Sequence, residues 1–364
     1  MRVLIAGGGT GGHLFPALAI ADELRQQMPE TEILFLGGDR GLERQIVPKE
    51  AFAFASVPVR GWTRRICWQT VTFPWFLLLG LWRSFAILRR FRPKVVVGTG
   101  GYVSGPAVYL ASLMGIPTLI QEQNSFPGAT TRILASRVDQ VHLSFPQSRK
   151  YFRRKDHLKV SGNPVRKTMG QADRELAAEV FTLDPELRTV LVMGGSQGAH
   201  SINMAVAQGF DRLVGEDVQL IWQTGKRDFE QMNRQFGGRG LKAVILDFIQ
   251  DMSSAYGAVD LVVCRAGATT VAEIAGCGLP AIFVPYPFAA ADHQRMNAQA
   301  LVKAGAAKMV LNGELKDGKL ISVLLGLLRD GPRLKEMARK SKLMSRPEAA
   351  TTVVRAIREL ARSN

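Results

Sequence analysis

The chain has 364 residues, 46% hydrophobic and 21% charged, a length that fits two domains and a composition well outside the range of disordered or fibrous chains. Lys and Arg total 47 against 31 Asp and Glu, a net charge of +16, and residues 51–121 hold eight of those cations and no acid. Such a surface suits a polyanion, either nucleic acid or an anionic membrane. Cys67, Cys264 and Cys277 form no CxxC pair and cannot frame a chain this size with disulfides, so a reducing compartment is expected.

In chain order, Val3-Leu4-Ile5-Ala6 reads as a buried first strand, with too short an apolar run for a signal peptide. Residues 15–27 read as a helix and residues 33–36 as a second strand. Residues 95–97 and 118–120 give two more strands, each ending in glycine or a polar turn. Between them, residues 68–82 are strongly apolar. The run is shorter than the roughly 20 residues a membrane span needs, and Pro74 interrupts it. Trp68, Trp75 and Trp82 recur every seven residues, which puts Trp75 and Trp82 on one side of a helix, and arginines flank the run. The expectation is an exposed apolar patch with a basic collar that docks on a membrane without spanning it. Pro164 marks a linker near residues 162–166.

The alternation then restarts at residues 190–193, 219–222, 261–263 and 281–284. Residues 3–13 align without gaps on residues 190–200, with six of eleven identical, which suggests two similar halves. A helix over about 349–362 closes the chain. Strands alternating with helices imply an α/β protein with parallel sheets. The expected boundaries are 1–164 and 165–345, with a C-terminal helix at about 346–364 packing back on the first domain.

Gly7, Gly9 and Gly12 satisfy GxGxxG between a strand and a helix, where glycines let the backbone approach an anion and the helix N-terminus offers free N–H groups. His13 and Leu14 stand where a P-loop needs Lys and Ser or Thr. A second glycine loop spans residues 98–106 and a third residues 194–198. Three such loops are too many for one dinucleotide and suit two phosphate-bearing ligands. An NAD enzyme using Gly7, Gly9, Gly12 and Asp39 leaves the later loops unexplained. A nucleic-acid binder explains the charge, but the basic segment carries Trp and Leu rather than a recognisable RNA-binding motif.

His13 sits by a helix N-terminus, which favours the neutral ring that a general base needs. Residues 264–273 open another helix, where N–H groups can hold phosphate and Glu273 can accept from two vicinal ribose hydroxyls. Residues 285–297 read as a polar loop for sugar hydroxyls. The adjacent Asp292 and His293 lack a third ligand for a metal.

Taken together, Gly8-Gly9-Thr10-Gly11-Gly12-His13-Leu14-Phe15-Pro16-Ala17, Gly98-Thr99-Gly100-Gly101-Tyr102, Gln121-Glu122-Gln123-Asn124, Gly162-Asn163-Pro164-Val165-Arg166, Gly194-Gly195-Ser196-Gln197-Gly198-Ala199 and residues 265–273 resemble the MurG family. These are the N-acetylglucosaminyltransferases that convert lipid I to lipid II in bacterial peptidoglycan synthesis. The resemblance implies the GT-B fold, two Rossmann-like domains with parallel sheets facing a central cleft.

It also implies a site. UDP-GlcNAc sits mainly on the second domain, reached from the first by Thr10, Gly11, Gly12 and Asn124. Arg166 and Ser196 hold the diphosphate, and the backbone at Ile249 reads uracil. Ala268, Thr269, Thr270, Val271 and Ala272 span the phosphates and ribose, Glu273 takes the ribose hydroxyls, and Gln294 takes the GlcNAc hydroxyls. His13 is the candidate base with Glu122 in reserve, and the first two glycine loops hold the acceptor's pyrophosphate. No metal or other cofactor is expected. The expected partners are UDP-GlcNAc, lipid I, an anionic membrane at the cytoplasmic face of the inner membrane, and cell-wall synthesis proteins, with no nucleic acid.

Overall fold

The computed structural model describes residues 1–59, 68–195 and 198–362. The chain divides into two compact units, Met1–Arg166 joined by the segment from Pro347 onward, and Lys167–Arg346. The first unit runs β1 (Arg2–Gly7), α1 (Gly11–Gln27), β2 (Glu32–Gly38), α2 (Glu43–Lys49), β3 (Ala53–Val57), α3 (Trp68–Phe91), β4 (Val95–Gly100), α4 (Gly101–Leu113), β5 (Thr118–Glu122), α5 (Ala129–Leu134), β6 (Gln140–Leu143) and β7 (Leu158–Val160). The second runs α6 (Arg174–Val180), β8 (Arg188–Met193), α7 (His200–Gln208), α8 (Phe210–Val214), β9 (Val218–Gln223), α9 (Lys226–Phe236), β10 (Ala243–Leu246), α10 (Met252–Gly257), β11 (Leu261–Cys264), α11 (Ala268–Cys277), β12 (Ala281–Phe283), α12 (His293–Lys303), β13 (Ala307–Met309), α13 (Lys319–Leu328) and α14 (Gly331–Leu343). Helix α15 (Ala349–Arg362) belongs to the first unit.

Among the described residues, the strand orders are β3-β2-β1-β4-β5-β6-β7 and β10-β9-β8-β11-β12-β13, with parallel pairing throughout. Both faces of the first sheet are covered, which is why its strands read as unbroken apolar runs. Val3 and Ile5 of β1 pack with Leu14 and Leu18 of α1 and with Val353 and Ile357 of α15. Leu4 and Ala6 point the other way, toward Leu88 of α3 and Val103 and Ala107 of α4. The Thr351 hydroxyl donates to Glu23 Oε1 at 2.8 Å and fastens α15 to α1.

Each sheet reverses its strand order once, between β1 and β4 and between β8 and β11. The carboxyl ends of strands beside such a reversal are where open α/β sheets bind ligands.

Two elements differ from the sequence reading. Helix α1 starts at Gly11, four residues before Phe15, so Gly11, Gly12 and His13 form its first turn. Residues 293–303 are helical, so Gln294 lies in the first turn of α12 rather than in a loop. Helix α3 divides into two faces. Gly80, Ser84 and Leu88 are buried against the protein, while Trp75, Leu78, Trp82 and Phe85 are 69%, 62%, 65% and 44% exposed. Leu79 is half-buried. Among the described residues, no helix is long and apolar enough to cross a membrane.

Candidate active site

The first unit gathers its candidate residues at the carboxyl ends of β1, β4 and β5. The Thr10 carbonyl accepts from the His13 and Leu14 N–H groups at 3.1 Å each, opening α1 without a side-chain cap. The preceding glycine loop is fixed by Glu43, which is 1% exposed. Glu43 Oε2 accepts from Gly9 N at 3.0 Å and Oε1 from Gly38 N at 2.8 Å. A Cβ at Gly8, Gly37 or Gly41 would strike this side chain at 2.3, 2.4 and 2.1 Å. Those glycines therefore leave room for a buried carboxylate, which in turn holds the loop. The sequence reading missed Glu43, because an acid bonded to the backbone N–H of a glycine 34 residues away leaves no motif.

His13 Nδ1 lies 3.1 Å from Thr99 O and 2.9 Å from Gln123 Oε1. The orientation of the Gln123 amide is set by its Nε2, which donates to Thr99 O at 2.8 Å and Gln121 O at 3.1 Å. Both neighbours of Nδ1 therefore only accept. The hydrogen-bond network assigns the hydrogen to Nδ1 and leaves the lone pair on Nε2. Gly100, at φ +99°, lets the second loop close on this ring, since a Cβ there would sit 2.6 Å from Nδ1.

Glu122 is also buried, and both of its oxygens are engaged. Oε1 accepts from Asn124 N at 3.0 Å and Oε2 from Gly128 N at 3.0 Å. The carboxylate shapes the loop that carries Asn124, and it would have to release a backbone donor before taking a proton. This arrangement argues against the reserve-base role expected from the sequence.

In the second unit, the N-terminus of α11 follows β11 beside the strand-order reversal. Gly267 starts the helix with no side-chain cap, and no acid occupies the first turn. Ala268, Thr269, Thr270, Val271 and Ala272 thus present the positive end of a ten-residue helix. Glu273 lies one turn further, and its Oε2 accepts from the Tyr256 hydroxyl at 3.0 Å. Burial, then the Glu273 charge, pushes the Tyr256 phenol well above its ordinary range, so it stays a donor at neutral pH. Gln294 Oε1 accepts from Tyr286 N at 2.9 Å, which leaves its amide nitrogen to donate elsewhere. Ile249 is buried in the segment between β10 and α10. His200, the counterpart of His13 in the repeat, has Nδ1 3.0 Å from Asp228 Oδ1, a different partner from the amide and carbonyl facing His13.

Two expected phosphate ligands stand differently. The Arg166 guanidinium pairs with Asp22 at 3.1 Å and Glu50 at 3.0 Å, both in the first unit. Two carboxylates therefore already hold the expected diphosphate ligand. Ser196 lies outside the described residues.

Residues 3–143 match the N-terminal domain of glycosyltransferase family 28, and residues 189–353 match its C-terminal domain. With the two parallel sheets, these matches define a GT-B glycosyltransferase. The chain is 45% identical to the UDP-N-acetylglucosamine--N-acetylmuramyl-(pentapeptide) pyrophosphoryl-undecaprenol N-acetylglucosamine transferase of Chlorobaculum tepidum, covering 100% of each. It is 41% identical to the transferase of the same name from Desulforamulus reducens, covering 99% of each. The crystal structure of Acinetobacter baumannii MurG superposes with a TM-score of 0.75 at 30% identity, over 98% of this chain and 99% of that one. The chain belongs to this MurG family of glycosyltransferase family 28.

Proposed function

We propose that this chain transfers GlcNAc from UDP-GlcNAc to the C4 hydroxyl of the N-acetylmuramoyl sugar of lipid I, undecaprenyl-pyrophosphoryl-MurNAc-pentapeptide, giving lipid II for peptidoglycan synthesis. The observation that carries the chemistry is the His13 tautomer, with Nδ1–H bonded to Thr99 O and Gln123 Oε1. Nε2 is then the nitrogen that takes the proton from the acceptor hydroxyl as that oxygen attacks C1 of GlcNAc. UDP departs from the opposite face, so an α-linked donor gives a β-1,4 product through an oxocarbenium-like transition state.

Charge on the departing diphosphate is met by the backbone N–H groups and dipole at the start of α11. Glu273 accepts from the ribose hydroxyls while Tyr256 fixes its orientation. The Ile249 backbone reads the uracil edge, and the Gln294 amide donates to the GlcNAc hydroxyls. Thr10, Gly11, Gly12 and Asn124 meet the donor sugar from the first domain. The glycine loops after β1 and β4 take the acceptor's pyrophosphate. Arg166 joins the diphosphate only by leaving Asp22 and Glu50.

The acceptor's polyprenyl chain requires contact with the bilayer. The exposed face of α3 supplies it, docking peripherally on the cytoplasmic leaflet with anionic headgroups around it. Saturation-transfer NMR with UDP-GlcNAc, NAD and an oligonucleotide tests the reading. UDP-GlcNAc alone is expected to receive saturation at uracil, ribose and GlcNAc protons; transfer to NAD or to the oligonucleotide instead would overturn it.

A further inference from the structure

The third glycine loop, residues 194–198, leads into His200, which opens α7. His200 is the counterpart of His13 in the repeat, but its surroundings differ in charge. His13 Nδ1 faces a carbonyl and an amide oxygen, both neutral. His200 Nδ1 lies 3.0 Å from Oδ1 and 3.1 Å from Oδ2 of Asp228, a carboxylate only 4% exposed. A carboxylate only accepts, so Nδ1 carries the hydrogen. A second proton on Nε2 then makes an imidazolium whose charge Asp228 balances. The positive end of α7 works against a cation in its first turn, and the buried carboxylate offsets it.

Asp228 is itself held in place. Asn203 Nδ2 donates to Asp228 Oδ2 at 2.7 Å and to Thr224 O at 2.8 Å, and Asn203 Oδ1 accepts from Trp222 Nε1 at 3.1 Å. Asn203 and Trp222 are buried, so a hydrogen-bonded chain from the core orients the imidazole. Arg227 is 3.9 Å from Asp228 and largely exposed, and contributes little to the pairing. The His200 ring is half-exposed, and among the described residues its Nε2 has no hydrogen-bond partner.

The position of this pair indicates its ligand. Strands β8 and β11 pair with Met193 beside Cys264, so the loops that leave them start side by side at the strand-order reversal. One leads to His200 and α7, the other to Gly267 and α11. The two helix starts are bolted together. Arg265 Nη2 donates to Ser201 Oγ at 2.8 Å, and Asn312 Oδ1 accepts from Arg265 Nη1 at 3.0 Å and from Ser201 Oγ at 2.8 Å. Arg265 also donates to the Val284 and Pro285 carbonyls at 3.0 and 3.1 Å, which commits its guanidinium to the scaffold. Arg166 is held by Asp22 and Glu50. The diphosphate proposed at α11 thus meets a helix dipole without either arginine. We infer that His200, as an imidazolium backed by Asp228, donates Nε2–H to a nonbridging oxygen of the donor's diphosphate and offsets the charge that grows there as the sugar departs. The proton stays on the ring. The two histidines of the repeat then divide the work by their surroundings, His13 taking a proton and His200 meeting negative charge. The inference rests on the UDP-GlcNAc reading above and gives the second half of that site a cationic side chain.

Calorimetric titration of the full chain with UDP-GlcNAc, UDP and uridine tests this, with turnover measured in parallel and thermal unfolding to confirm folding. In His200→Gln the amide can still donate to Asp228, so the fold should be retained, but it brings no charge. UDP and UDP-GlcNAc are expected to bind about tenfold more weakly, with uridine unchanged, since only the phosphates meet the imidazole. The kcat should fall as well, because the contact strengthens in the transition state. His200→Arg keeps a cation against Asp228 and should stay within a few-fold of the parent for UDP. Uridine weakened as much as UDP would make His200 a support for the fold of the site, and an arginine variant as weak as the glutamine one would remove charge from the role; either result overturns the inference. UDP binding unaffected by His200→Gln overturns it as well and leaves the UDP-GlcNAc reading in place. An unsubstituted chain that binds no UDP-GlcNAc overturns both.

Discussion

Replacing His13 by alanine removes Nε2 and leaves α11, the proposed donor-binding helix of the second unit, untouched. Turnover is expected to fall about 100-fold or more, with UDP-GlcNAc affinity nearly unchanged. Turnover within a few-fold of the parent would remove His13 from the role of base. Glu43 is expected to matter differently. In Glu43→Gln, one of the two N–H groups from Gly9 and Gly38 faces an amide NH2 instead of an oxygen. The loss should cost about 1–3 kcal/mol in urea denaturation and lower turnover by loosening the loop that leads into His13. Unchanged stability would show that the loop does not depend on this carboxylate. At this scale the sequence singles out a residue that belongs to a local pattern, as His13 does at the end of the first glycine loop. It was silent where a residue acts through distant backbone, as Glu43 does. Gln123 sat in plain view within Gln121-Glu122-Gln123-Asn124. Its role in setting the His13 tautomer depends on Thr99 and Gln121, which only the fold brings to it.

At the level of elements, the proposed donor platform is the start of α11 and its second turn. Glu273→Ala should weaken UDP and UDP-GlcNAc equally, by roughly 1.5–3 kcal/mol, because ribose is common to both. Tyr256→Phe should act in the same direction with a smaller effect, since it only frees the carboxylate to turn. Isothermal titration with both nucleotides checks this, and a change confined to the acceptor's KM would move Glu273 out of the donor site.

Strand β6 makes a prediction about pH. His142 is fully buried there, and burial pushes its imidazole down to about 4, with Lys159 adding to the shift. The native state therefore holds the ring neutral while the unfolded chain takes up a proton below about 6.5. Stability should be full above that value and fall by roughly 3 kcal/mol as pH drops toward 4. His142→Gln should remove that part of the slope in thermal unfolding between pH 4 and 7, and an unaltered slope would assign it to other groups. The elements themselves were mostly legible, because parallel strands covered on both faces give apolar runs that stop at glycine. The start of α1 was not. Gly11-Gly12-His13 has poor helix propensity, and its helical turn follows from packing of the loop between Glu43 and the second glycine loop. Residues 293–297 were misread as loop for a similar reason, since the turn before α12 uses left-handed Ala291 and Asp292, which no glycine announces.

For the whole molecule, the seven-residue spacing of Trp75 and Trp82 pointed to one helix face, and that face is exposed. The opposite face could not be read as clearly. Leu79 looks interchangeable with Leu78 in sequence, yet Leu79 is half-buried and Leu78 is 62% exposed. Trp75→Ser, Leu78→Ser and Trp82→Ser together should abolish most flotation on anionic vesicles without unfolding the chain, and binding by the unsubstituted chain should fall as salt rises. Flotation equal to the parent would place the contact elsewhere. Arg166 shows what a motif leaves unrecorded. Its position in Gly162-Asn163-Pro164-Val165-Arg166 suggested a phosphate ligand, but burial raises the Asp22 carboxyl and the guanidinium is held between Asp22 and Glu50. Which partner an arginine keeps is decided by three-dimensional charge balance, which a motif does not record.

The most direct test of the central reading is transfer itself. The full chain is incubated with radiolabelled UDP-GlcNAc and lipid-linked MurNAc-pentapeptide, and the product is separated and its new linkage assigned by NMR. One GlcNAc per acceptor, β-linked to C4 of MurNAc with UDP released in equal amount and His13→Ala nearly inactive, is the predicted result. Consumption of UDP-GlcNAc with no sugar on the acceptor, or an α-linked product, would contradict it.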